Sequence, residues 1–165
     1  MPVVESSVEL PVDAATAFAV SQTTGETRLR WDRFIDQQQL LGERPAKGVR
    51  TRTVHRTKVL SMLSEYVSYN PPTNVGMRMV EGPWFFESFA GGWRFVPHPD
   101  DPQRSVATWR YSFRCRPAWL APVAERIGIR VLQRDIDRRI AGFAAGCEDP
   151  VVVAQARRDA GQDPV

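Results

Sequence analysis

What most constrains this chain is a change of hydrophobic period near residue 117. Before that point, apolar and polar residues alternate through segments separated by turn residues. In 106–116 the odd positions Ala107, Trp109, Tyr111, Phe113 and Cys115 are apolar, and the even positions Thr108, Arg110, Ser112, Arg114 and Arg116 are polar. A strand buried on one face needs this alternation, because its successive side chains point to opposite faces. After Pro117 the spacing becomes three and four. Ile129, Leu132, Ile136, Ile140 and Phe143 form one helical stripe, and Leu120, Val123, Ile127 and Val131 form a neighbouring one. Pro122 stands where an early-helix proline is tolerated, and 121–145 as a helix would run about 37 Å, with Gly128 and Gly142 as places to bend.

The rest of the chain reads in the same way. Residues 3–10 alternate, with Val4, Val8 and Leu10 on one face. Pro11 and Val12 break that strand, and Asp13 is a good N-cap for a short helix over 14–21. Thr23-Thr24-Gly25 interrupts, and 26–33 reads as a second short helix carrying Leu29 and Trp31. Strand-like segments follow at 34–41, 49–58, 59–69, 75–81, 85–96 and 106–116. Turn signals bound them at 42–48, Asn70-Pro71-Pro72-Thr73-Asn74, Gly82-Pro83 and 97–102, but none marks the break between Lys58 and Val59.

The expectation is an α+β fold: a curved seven-stranded antiparallel sheet wrapped on one long C-terminal helix, with two short helices after the first strand. Such a sheet must cover its apolar face, and the long helix is the available cover. One helix cannot fill a wide concave face, so a space between the two is expected. Residues 1–147 make one domain. Residues 148–165, polar with a net charge of −2, are expected as a mobile tail.

Composition narrows the function classes. The 165 residues suit a single domain, and 42% hydrophobic with 25% charged residues describes a globular protein. A net charge of +3 from 22 basic and 19 acidic residues is too small to imply a nucleic-acid partner, although all the cations but Lys47 and Lys58 are arginine. The two cysteines, Cys115 and Cys147, and two histidines, His55 and His98, show no CxxC, HxH or HExxH spacing, so no metal and no cofactor are expected. The N-terminus lacks the basic and apolar regions of a signal peptide, and no stretch reaches 18 apolar residues. A cytoplasmic chain without a transmembrane segment is the expectation.

Four features stand out: Val8-Glu9-Leu10-Pro11-Val12-Asp13-Ala14-Ala15-Thr16-Ala17-Phe18, the Trp31 after the two short helices, Glu65-Tyr66-Val67-Ser68-Tyr69-Asn70-Pro71-Pro72, and the order of elements ending in a long helix. On these the chain, from Val3 to about Cys147, resembles the START-like helix-grip superfamily, also called SRPBCC, and within it the polyketide cyclase/dehydrase group. The resemblance implies the helix-grip fold. It leaves open lipid carriers, hormone receptors, aromatase/cyclases and ring-hydroxylase subunits, since fold does not choose function.

Strand parity sorts the residues by face. The predicted inner wall holds Met77, Met79, Phe89, Trp93, Phe95, Trp109, Tyr111 and Phe113. Aromatic faces and adaptable methionines suit a flat apolar ligand; the same residues would also serve as plain packing against the helix. Glu87 and His55 share the inner parity. With Tyr111 they are the candidate acid/base groups for the aldol cyclisation or dehydration that the resemblance suggests, since a carboxylate among aromatic rings has a raised pKa and a histidine titrates near neutrality. A bulge at Gly91-Gly92 would instead turn Glu87 to solvent, and His55 stands near a strand end. Trp31 and the 71–74 loop are placed near the cavity mouth, and Gly82-Pro83-Trp84 is read as a rigid tip with Trp84 exposed.

In aromatase/cyclases of this type an arginine and a tyrosine in the pocket position the substrate. Here Arg50, Arg52, Arg56, Arg78, Arg94, Arg110 and Arg114 all take the outer parity. Arg126, Arg130, Arg134 and Arg138 form an i, i+4 row on the long helix, and Asp135 can pair with Arg139 at the same spacing. Three functions compete. The chain binds a small hydrophobic, aromatic or lipid-like molecule in the cavity; or it is a cofactor-independent polyketide cyclase acting on a poly-β-ketone; or its basic outer face engages an anionic partner such as an acyl carrier protein. An arginine inside the cavity would favour the cyclase.

Overall fold

Alternating segments form strands and the three-and-four stripe forms a helix in a computed structural model that describes residues 1–55 and 61–162. Among these residues the order is β1 (Val3–Leu10), α1 (Ala14–Ser21), α2 (Gly25–Trp31), β2 (Ile35–Leu41), β3 (Arg50–His55), β4 (Ser61–Asn70), β5 (Asn74–Glu81), β6 (Phe86–His98), β7 (Asp101–Cys115), α3 (Ala121–Glu148) and α4 (Pro150–Asp159). The strands join one antiparallel sheet in the order β1-β7-β6-β5-β4-β3-β2. β2 to β7 form a meander, whereas β1 adds to the far edge, with Val3 opposite Ser112 and Leu10 opposite Ser105. The α1–α2 connection therefore carries the chain from one edge of the sheet to the other. The break expected at Lys58 and Val59, and Arg56 with it, lies outside the described residues.

Register shifts between Ile35 and Gln37, Tyr66 and Ser68, and Phe86 and Ser88 interrupt the ladders. Each such irregularity bends its strand and increases local twist, which curves the sheet toward the helices. On the concave side Trp93 lies between Trp109 and Phe143, with ring centroids at 4.1 and 4.5 Å. Phe95 meets Phe18 of α1 at 5.8 Å. Asp13 caps α1 by accepting from the Thr16 amide at 2.8 Å, an arrangement usually worth about 1 kcal/mol. Residues Thr16 to Ser21 are all buried, because α1 is covered on a second side by α4.

α3 buries Ile136, Ile140, Phe143 and Cys147 against the sheet and α2. Its glycines mark its closest approaches. A methyl at Gly128 would meet the Phe113 ring at 2.8 Å, and one at Gly146 would meet Trp31 Cβ at 2.7 Å. The other expected stripe behaves differently. Leu120, Val123, Ile127 and Val131 are exposed, as is Ile129 from the first stripe, because the helix touches the sheet through Gly128 and leaves these flanks uncovered.

The segment expected as a mobile tail is corrected by the structure. Asp149 accepts from the Val151 amide at 2.9 Å and Pro150 opens α4, whose Val152 and Ala156 are fully buried. Arg157 of α4 donates to Thr16 Oγ1 at 3.2 Å. An N-cap followed by proline starts a helix that then buries one face, and that burial, rather than a polar tail, is what residues 149–159 provide. Among the described residues no helix is long and apolar enough to cross a membrane.

Candidate functional site

Sheet and α3 border a partly open cavity of about 1320 Å³. That exceeds the roughly 300–1,000 Å³ of common small-molecule sites. Its wall is built by the inner parity of four strands: Thr51 and Thr53 from β3, Ser64 and Tyr66 from β4, Met77 and Met79 from β5, Phe89 and Trp93 from β6. Trp109 and Tyr111 of β7 complete that side, and α3 contributes Ile127, Val131 and Leu132 opposite. Gly91 keeps the floor open, since a methyl there would meet the Tyr111 ring at 2.7 Å.

One end of this apolar space is polar. Asp32, fully buried after α2, stands 2.9 Å from Arg28 and 2.6 Å from Arg139. Arg139 also donates to the Tyr111 hydroxyl at 2.6 Å, and its guanidinium lies over the Trp109 ring at 4.3 Å. Arg28 is fixed in turn by the Ser21 carbonyl at 2.8 Å and lies over the Trp31 ring at 4.2 Å. Burial opposes ionisation of Asp32, but the two guanidiniums outweigh it and hold the carboxyl well below the usual carboxylate range. Burial likewise opposes the charge of Arg139, and Tyr111 and Asp32 reverse that effect. Desolvation pushes the Tyr111 phenol up, so the hydroxyl keeps its proton; because it accepts from Arg139, that proton is free to be donated elsewhere.

Of the expected ligand wall, Met77, Met79, Phe89, Trp93, Trp109 and Tyr111 border the cavity. Phe95 and Phe113 do not. Phe95 is packed among Phe18, Trp93 and Phe143, and Phe113 lies beneath Gly128 and beside Phe86. Trp31 borders the cavity but is buried against Phe143, with its indole donating to Thr23, rather than standing at the mouth. The 71–74 turn contributes no lining residue. Trp84 is 72% exposed at its tip, as expected, with its carbonyl accepting from Arg116.

The three candidate acid/base residues part company. Tyr111 is in the cavity. Glu87 is outside it, half exposed and 3.9 Å from Arg114 on the convex face. The bulge that turns it out lies at Phe86 and Ser88, not at Gly91-Gly92, so Phe86 and Phe89 both face inward. His55 ends β3 opposite Ile35, and its side chain lies outside the described residues. Among the described residues no group of three or more His, Cys, Asp or Glu is placed to hold a metal.

Arg50, Arg52, Arg78, Arg94, Arg110 and Arg114 lie on the outer face, as their parity implies, with Arg78 also at the cavity rim. Arg139 is the correction. Its carboxylate partner is Asp32 of the α1–α2 connection and not the surface pair expected with Asp135, because the Ile136–Phe143 face that enters the core brings it inward. The local signal was its spacing, three after Ile136 and four before Phe143. Nothing local marked Asp32.

A curved antiparallel sheet gripping a long helix around a lined cavity defines a helix-grip protein. Residues 1–148 match the polyketide cyclase / dehydrase and lipid transport family, and the chain belongs to that family. No curated protein matches it in sequence. Among solved structures it is similar to TTHA0849 from Thermus thermophilus, with a TM-score of 0.72 at 13% identity over 94% of this chain and 99% of that one. A START superfamily protein from Mycobacterium smegmatis gives a TM-score of 0.72 at 12% identity over 88% and 97%. The di-domain ARO/CYC BexL from the BE-7585A biosynthetic pathway gives 0.71 at 10% identity, over 88% of this chain and 46% of that one. At these identities the likeness is one of fold.

Proposed function

We propose that the chain binds a small hydrophobic molecule, aromatic or lipid-like, between sheet and long helix. The observation that carries this reading is the 1320 Å³ cavity with methionine and aromatic walls, which supplies stacking faces and adaptable packing. The neutral dye N-phenyl-1-naphthylamine reports such sites by brightening on transfer from water. It is expected to saturate on the native chain and to lose most of its binding in Ser64→Trp, which places an indole beside Met79. A dye that fails to saturate on the folded chain sinks the reading.

One observation favours a second reading, the cofactor-independent cyclase. Arg139 and Tyr111 are both inside, and the Tyr111 proton is aimed at no protein acceptor among the described residues. A phenol held by a guanidinium stabilises negative charge developing on a ketone oxygen, as in an enolate formed during aldol ring closure. A poly-β-ketone travels as a thioester on an acyl carrier protein, and the exposed Arg126, Arg130 and Arg134 offer such an acidic carrier a face on α3. Tyr111→Phe should then lower turnover of a poly-β-ketone thioester about 100-fold while dye binding is kept. Equal turnover in the variant removes Tyr111 from the chemistry.

A further inference from the structure

We propose that the ligand of this cavity is an apolar acid, ionised at neutral pH, with its anionic oxygens seated at Arg28, Arg139 and Tyr111; this rests on the cavity being a ligand site. The first support is a charge count. Asp32 is one carboxylate held between two guanidiniums, and the side chains of Arg28 and Arg139 are only 11% exposed. One buried positive charge is therefore left without a carboxylate of its own in direct contact, Asp135 acting on Arg139 only through space. A buried charge without a partner is unfavourable unless something else compensates it.

The second support is an unpaired donor. Arg139 uses Nη1 on Tyr111 and Nη2 on Asp32, but its buried Nε has no hydrogen-bond partner among the described residues. The Tyr111 hydroxyl has a proton to give beside it. Two donors, and a positive charge with no carboxylate of its own in contact, at one end of an apolar cavity are what a carboxylate or an acidic enol requires. The amide oxygens of Gln22 and Gln38, the other unpaired buried side-chain atoms among the described residues, also belong to the lining, and a hydroxyl on the ligand body would serve them.

The third support is the sign of the whole lining. Arg28, Arg30, Arg33, Arg78, Arg138 and Arg139 border the cavity, against Asp32, Asp135 and Asp149. Arg30 is already paired with Asp149. Arg78 is paired with Glu65 on the outer face. The remaining lining, Arg28, Arg33, Arg138 and Arg139 against Asp32 and Asp135, still carries an excess of positive charge that favours an anion.

The test is competition against N-phenyl-1-naphthylamine on the native chain, comparing dodecanoate with dodecanol at pH 8. The two differ only in the head group. Dodecanoate is expected to displace the dye at about one-tenth the concentration of dodecanol or lower. Arg139→Met leaves the Arg28–Asp32 pair intact; it should bring the two competitors to within about twofold while dodecanol still competes. Equal competition in the native chain, with the dye bound, overturns the acid and leaves the cavity reading standing. A preference undiminished in folded Arg139→Met overturns the assigned seat. If neither the dye nor either competitor binds, both readings fall.

Discussion

Asp32 and Arg139, separated by 107 positions in the chain, meet at 2.6 Å with the carboxylate fully buried. The contact joins the α1–α2 connection to α3 at the polar end of the cavity. Removing one partner of a buried pair leaves the other charge uncompensated, which typically costs about 3–5 kcal/mol. Asp32→Asn leaves two guanidiniums without a carboxylate, so a urea unfolding curve should show a loss of that order. A loss below about 1 kcal/mol would show that the carboxylate does not hold the two elements together.

The same carboxyl predicts the acid limb of stability. Its folded pKa lies below the ordinary 3.8, so the unfolded chain binds the proton first. Its stabilising contribution is complete above the unfolded value and is lost as the pH falls through the folded one. Melting temperatures measured from pH 6 downward should fall below about pH 4, and more steeply in the native chain than in Asp32→Asn. Parallel curves for the two proteins would contradict the assignment.

Parity alone makes Glu87 a candidate catalyst. Half exposed beside Arg114, it is outside the cavity. Glu87→Gln should leave dye affinity and any turnover unchanged and move stability by less than about 0.5 kcal/mol. A drop in either activity would mean that the convex face takes part in binding.

α4 gives a direct test of whether residues 150–159 belong to the folded body. Val152 is 0% exposed. Val152→Ala removes buried methyl groups and should cost about 2 kcal/mol in chemical denaturation. An unpacked tail would show no change.

Cys147, buried on α3, has its thiol pushed up to about 12 by desolvation and by the neighbouring Glu148. The thiolate is the reacting species, so iodoacetamide at pH 8 should leave Cys147 unmodified in the native chain and alkylate it after urea unfolding. Mass mapping of the 147-containing peptide reads the result, and rapid native labelling would place the thiol in solvent.

The element order is legible because alternation and the three-and-four stripe are local properties of the chain. Parity assigns side chains to the concave face where ladders are regular, as at Trp109 and Tyr111, without telling cavity-bordering residues from packed ones such as Phe95 and Phe113, and it misplaces Glu87 where the shift at Phe86 and Ser88 adds an unpaired residue. The polar end is not legible. Spacing along a helix pairs Arg139 with Asp135, whereas its approach to Asp32 depends on a tertiary contact with no local signature. The start of α4 is visible in Asp149-Pro150, but the polar composition around it outweighs so short a helix.

The pairing of Val3 with Ser112 sets an order in time. A ribosome adding about 5–20 residues per second emits β1 roughly 5–20 seconds before the strand it must join. Through that interval Val4 and Leu10 have no sheet to rest on, while β2 to β7 can zip successively as neighbours. Of the strands of this sheet β1 is made before the others and is thus among the last to be secured, and its arrival covers the edge of β7.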